Sequence, residues 1–148
     1  MSAIYSDAWY DDLKQMIHGS AEFAEKAPTE RMVMTLEING DGKSPYVGAG
    51  DSMYYLLVLD TGKVTDLHAL EQQHDGKGLN FRFTAPATVW EEIAAGSLDP
   101  ITAGLRGKIR IRGDMRMLMQ NADAVKILVD LYGSQIDTEW PHGQPPYG

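Results

Sequence analysis

With 148 residues, a net charge of −8 and no cysteine, the chain can form one sizeable core but no disulfide, thiolate metal site or cysteine nucleophile. Its acidity argues against general nucleic-acid binding, whose affinity comes largely from Lys and Arg on phosphates. The N-terminus lacks a basic start followed by an apolar leader, and no apolar run approaches about 18 residues, so the expectation is a soluble, cytoplasmic protein.

In chain order, Trp9, Leu13, Met16, Ile17, Ser20, Phe23 and Ala24 recur at helical spacing, which predicts one amphipathic helix stopped by Pro28. Met32, Met34, Leu36 and Ile38 alternate with Val33, Thr35 and Glu37, the period of a half-buried strand. Tyr46–Gly50 reads as a short edge strand or a loop. The run from Met53 to Leu59 is apolar on both faces, which predicts a central strand, and Asp60, Thr61 and Gly62 then turn the chain. A polar loop follows over 68–78. Leu79, Phe81 and Phe83 form one side of another strand.

Thr88 with Glu91 three residues on predicts a capped short helix ended by Gly96, and Asp99 with Pro100 predicts a second. After a turn at Gly107, Arg106, Lys108, Arg110 and Arg112 alternate with Gly107, Ile109, Ile111 and Gly113 in a strand-like run. From Met115 to Tyr132 the pattern predicts a single helix, with more apolar surface than one contact requires. Residues 134–148 have three prolines and no period, which predicts a flexible, loosely attached tail beyond a domain of 1–133. The class is α+β, with helices covering a mixed or antiparallel sheet.

No catalytic constellation is visible. Ser and Thr are scattered without a nucleophile elbow, and "GDGKS" lacks the spacing of a phosphate loop. His68, His74 and Asp75 read as a polar loop rather than a metal site, lacking a recognised ligand spacing. No catalytic residue, metal or cofactor is assigned. The methionines suit an ordinary core or an adaptable apolar cavity. Trp9 and Trp90 read as core anchors more than ligand stackers. Trp140 lies in the tail, where it could cross a partner or a tunnel mouth. The four alternating bases read first as a solvated strand face paired with neighbouring acids, and second as a site for a carboxylate, a phosphate headgroup or an anionic membrane. Residues 106–116 carry +4, which leaves −12 on the remainder.

One stretch resembles a known family. Gly96, Leu98, Asp99 and Pro100 form a "G-x-L-D-P" turn, and Gly107, Lys108, Ile109, Ile111, Gly113 and Asp114 form a "G-K-I-x-I-x-G-D" strand, in the order found in the sterol carrier protein 2 family. The resemblance extends from about Trp9 to about Tyr132. It implies a five-stranded twisted sheet covered by helices, with an apolar tunnel for fatty acids, acyl-CoAs, phospholipids or sterols. The implied function is that of a non-catalytic carrier, with an accessory or dimerising subunit of an enzyme as the alternative. The tunnel candidates are Met34, Met53, Phe83, Trp90, Ile93, Met115, Leu118, Met119, Val125, Leu128 and Tyr132. The expected partners are a hydrophobic small molecule and no nucleic acid, with transient membrane contact, a homodimer or an enzyme partner as further alternatives.

Overall fold

A computed structural model of the chain describes residues 2–134 and 136–147, without the side chain of Ser134. The elements are β1 (Ser2–Ala3), α1 (Asp7–Gly19), α2 (Ala21–Lys26), β2 (Met32–Asn39), β3 (Ser52–Asp60), β4 (Lys63–Leu70), β5 (Phe81–Pro86), α3 (Ala87–Ala94), α4 (Pro100–Leu105), β6 (Arg110–Gly113), α5 (Met115–Gln120), α6 (Ala122–Ser134) and β7 (Thr138–Glu139). Five strands form one mixed sheet in the order β4-β3-β2-β5-β6. β2 and β5 run parallel, and the other neighbours are antiparallel. The expected α+β class and five-stranded sheet are therefore present. β1 and β7 pair separately. Among the described residues no helix is long and apolar enough to cross a membrane.

The 53–59 run forms β3, an interior strand paired on both sides as expected, and β2 beside it is the middle strand of the five. Every residue from Met32 to Ile38 is buried. The alternation of Thr35 and Glu37 suggests a wet face, but the 71–80 loop covers it. Gln73 Nε2 donates to Glu37 Oε1 (3.0 Å), and Arg82 forms an ion pair with Glu37 while also donating to the His74 carbonyl (3.0 Å). Glu37 is buried because its charge is matched by a neighbouring Arg and its other oxygen is hydrogen-bonded. The strand β4 also runs three residues into the expected polar loop: His68, Ala69 and Leu70 pair with Leu56, Tyr55 and Tyr54.

Both long helical patterns break. Ser20 ends α1 and caps α2, its hydroxyl accepting from the Phe23 N–H (3.0 Å). Asn121 separates α5 from α6, and its side-chain amide donates to the Met117 carbonyl (2.9 Å). In each case a capping residue within an apolar period ends one helix and lets the next start at a new angle. By contrast Asp99 caps α4 as expected, accepting from the Thr102 N–H (2.9 Å), with Pro100 in its first turn. Gly113 is fixed by close packing: a Cβ there would lie 1.9 Å from the Asn80 carbonyl oxygen.

The tail is packed rather than loose. Gln135 and Gly148 lie outside the described residues, but Ile136 is buried and β7 pairs with β1. Trp9 Nε1 donates to Thr138 Oγ1 (3.0 Å), and Tyr147 Oη donates to Glu91 (2.5 Å). Trp140 lies edge-on to Tyr46, with ring centroids 6.2 Å apart. Aperiodic sequence can still dock through a few anchors. Deleting 136–147 should uncover Ile136's site and strand the Trp9 and Glu91 partners, at a cost of about 2–4 kcal/mol. We expect thermal unfolding to show a midpoint lower by roughly 6–15 °C. An unchanged midpoint would show that these contacts add nothing.

Candidate functional site

Between the sheet and the helices lies an apolar cavity of about 80 Å³. Its floor follows from strand periodicity. Met32, Met34 and Leu36 of β2 point to one side, joined by Leu57 of β3 and by Phe81 and Phe83 of β5. Its walls come from the helices: Leu13 and Ile17 of α1, Trp90 and Ile93 of α3, and Val125, Leu128, Val129 and Tyr132 of α6, spaced three and four apart. Pro100 and Ile109 close the side nearest β6.

Seven expected tunnel residues meet around this cavity: Met34, Phe83, Trp90, Ile93, Val125, Leu128 and Tyr132. Four do not. Met115 and Met119 point to solvent from α5, at 49% and 76% exposure. Leu118 and Met53 are half-buried against the core but do not line the cavity. The break at Asn121 explains the first three, because it turns α5 away from the line α6 would have extended. Met53 shares a face with Leu57 but sits at the strand's far end, opposite Ile38. The same periods mark the other lining residues. Met32 and Leu36 share Met34's face, Phe81 shares that of Phe83, and Val129 follows Val125 by four.

The position of α3 is set by polar groups away from the cavity. Pro86 occupies its N-cap, so Thr88 does not cap it with Glu91. Instead Asp41, from the β2–β3 loop, accepts from the Thr88 N–H (3.1 Å). Burial raises the Asp41 pKa, but hydrogen bonds from Thr88, Lys43 and Ser44 outweigh it and bring the value to about 2. Glu91, at 0% exposure, accepts from the hydroxyls of Tyr5 (2.7 Å), Ser44 (2.7 Å) and Tyr147 (2.5 Å). Burial raises its pKa despite those bonds, and the charge of Asp41 adds to the rise. Trp90 Nε1 donates to the Glu37 carbonyl (3.1 Å), which fixes the indole over β2. Trp90 and Tyr132 meet edge to face at 5.7 Å and Trp9 and Tyr132 at 5.3 Å, so these rings serve as core and cavity wall together.

The remaining candidates stay apart from this site. A wider, open recess of about 530 Å³ beside α1 is lined by Asp7, Asp11, Lys14 and His68, charges that an apolar ligand would have to desolvate. His68 pairs with Asp66, His74 Nδ1 accepts from the Gly76 N–H (3.0 Å), and among the described residues no three possible metal ligands come together. Arg110 and Arg112 stand opposite Thr84 and Arg82 on β5, not opposite acids, and among the described residues neither forms an ion pair. Arg106 and Lys108 precede the strand, in a turn.

The structure is thus a mixed sheet with an apolar cavity between it and helices α1, α3 and α6. Residues 13–126 match the SCP-2 sterol transfer family, and the chain belongs to that family. The crystal structure of sterol carrier protein 2 superposes with a TM-score of 0.72 at 22% identity, covering 88% of this chain and 98% of that one. A conserved protein from Thermus thermophilus, solved in solution, gives 0.73 at 22% identity, with coverages of 95% and 94%. The palmitated SCP2-like 2 protein from Aedes aegypti gives 0.52 at 17%, with coverages of 80% and 92%. At these identities the likeness is one of fold. No curated protein sequence matches significantly.

The buried carboxyl yields a pH test. Glu91's pKa is higher in the folded chain than its ordinary value of 4.5, so folding favours the protonated form. Its favourable contribution is complete below 4.5 and declines as pH rises toward the folded value, beyond which it is flat. The stability of the wild type relative to Glu91→Gln, from urea unfolding, should therefore fall from acid to neutral pH. A pH-independent difference would contradict the raised pKa.

Proposed function

We propose that this chain is a non-catalytic carrier that holds an acyl chain or similar lipid in the cavity between α6 and the sheet. The observation that carries this reading is the cavity itself, walled by apolar side chains from β2, β3, β5, α1, α3 and α6. Affinity would come from burial: each methylene removed from water contributes about 0.8 kcal/mol, so a long chain needs few polar contacts. The palmitated state of the Aedes aegypti protein of the same fold supports the same ligand class here.

Size adds a requirement. A cavity of about 80 Å³ is well short of the roughly 300–1,000 Å³ typical of ligand pockets. A lipid therefore enters only if a wall moves, and the α5–α6 segment is the natural one. The helix α5 buries none of its residues, and Asn121 already interrupts the helix beside it. The ligand would act as a wedge between α6 and Phe83 and Leu57, stabilising the folded state by mass action.

Titration with a fluorescent fatty-acid analogue tests this. The wild type should bind and melt at higher temperature when saturated. Leu128→Trp should fill the space of about two methylenes and weaken binding by about tenfold or more, while Met119→Ala, on the solvent side of α5, should leave it unchanged. Equal affinity in wild type and Leu128→Trp would remove α6 from the site.

A further inference from the structure

The strand β6 is one edge of the five-stranded sheet and pairs with β5 alone. The Asp114 N–H donates to the Asn80 carbonyl (3.0 Å), and the bonded pairs of an antiparallel ladder alternate from there, through Arg112 with Arg82 and Arg110 with Thr84. The backbone N–H and C=O of Ile111 therefore point away from β5, and among the described residues no backbone group bonds to them. Side chains divide between the two faces of the sheet. Ile109 and Ile111 pack against the core on the helix side, while Arg110 and Arg112 lie on the opposite face with Thr84 and Arg82. Both arginines are exposed, and among the described residues neither forms an ion pair, because Glu37 matches Arg82 alone. Like charges directly opposite each other repel, so a carboxylate added beside Arg112 and Arg82 would relieve that pairing. On the helix side the residues that flank β6 in the chain include Leu105 and Met115, apolar side chains that are 85% and 49% exposed.

We propose that the β6 edge takes an extended segment of another protein as an added strand, one whose side chains alternate between acidic and apolar. The open N–H and C=O of Ile111 supply main-chain hydrogen bonds, and the alternation of side chains supplies the selectivity. The acidic side chains fall on the face of Arg110 and Arg112, whose guanidinium forks suit carboxylates. The apolar ones fall on the face of Ile111, toward the side that carries Leu105 and Met115. An extended strand meets both faces at once because its side chains have a period of two, whereas a docked helix would present its surface to one face only. A second copy of β6 is a poor occupant, because it would set arginine against arginine, and a short charged edge resists self-pairing. Neither arginine lines the cavity, so the contact needs no ligand there.

Fluorescence anisotropy with labelled synthetic peptides at neutral pH tests it. A short peptide alternating valine and glutamate should bind the wild type, less tightly as salt rises. A peptide alternating valine and lysine should not bind, nor should one with the first peptide's composition arranged in two blocks. Arg110→Glu with Arg112→Glu should bind the glutamate peptide about tenfold more weakly and should gain binding of the lysine peptide. The control Lys26→Glu with Lys63→Glu, on α2 and on the opposite edge strand, should bind as the wild type does. Backbone N-methylation separates strand addition from charge attraction, because alternate N–H groups of a strand point to opposite edges. Methylating all the valines or all the glutamates should abolish binding in one case and spare it in the other. Circular dichroism and fatty-acid-analogue affinity should be the same in every variant, which keeps this result separate from the carrier reading. A wild type that leaves the alternating glutamate peptide unbound at low salt would overturn the proposal. So would equal affinity for the block peptide, or equal effects of the two methylation patterns.

Discussion

The parallel pairing of β2 with β5 is the constraint on which the rest of the structure depends. In that register Met34 lies beside Phe81 and Leu36 beside Phe83, while Thr35 lies beside Arg82 on the opposite face. A single alignment thus lays the cavity floor and brings Arg82 to Glu37. A one-residue slip would exchange the faces, putting Phe side chains against Glu37 and a guanidinium into the cavity. Parallel strands cannot be joined by a tight turn, so the chain passes through β3 and β4 and returns along the 71–80 loop. That loop covers the polar side of β2.

The pairing also decides where the helices fall. β5 ends at Pro86 and runs directly into α3, so Trp90 and Ile93 reach the cavity with no linker to absorb error. Asp41 and Glu91 then hold α3 from the outside, through bonds from a loop, the N-terminal segment and the tail. The cavity remains because α6 faces a floor of large side chains that it does not fully fill. An apolar gap costs lost dispersion contacts, and a lipid would restore them.

Much of this was legible in the residues. Period-two alternation marked β2, β5 and β6 and a two-faced apolar run marked β3, while β4 carried no strand expectation; the Asp99-Pro100 cap and Gly113 fell within the family motif, and α6's spacing put Val125, Leu128 and Tyr132 together. What periodicity could not reveal was where it would be overridden. Ser20 and Asn121 break helices whose apolar pattern continues, because a cap of a few bonds changes direction without changing composition. Glu37 and Thr35 read as a wet edge only because the loop that buries them is distant in sequence. Glu91 looked like a capping residue for the same reason, its three donors lying 86, 47 and 56 positions away. Met115, Leu118 and Met119 share the apolar period of α6, but that period leads to the cavity only if the helix continues straight through residue 121, and it does not. The tail hid its packing by docking through scattered anchors, not a stripe.

The central claim is that an acyl chain lies between α6 and the sheet. Isotope-filtered NMR on methyl-labelled protein with palmitate measures it directly. The account expects contacts from the acyl methylenes to the methyl groups of Leu57, Val125, Leu128 and Val129. Contacts confined to Leu105 and Met119 on the outer surface, with the interior methyls unchanged, would contradict it.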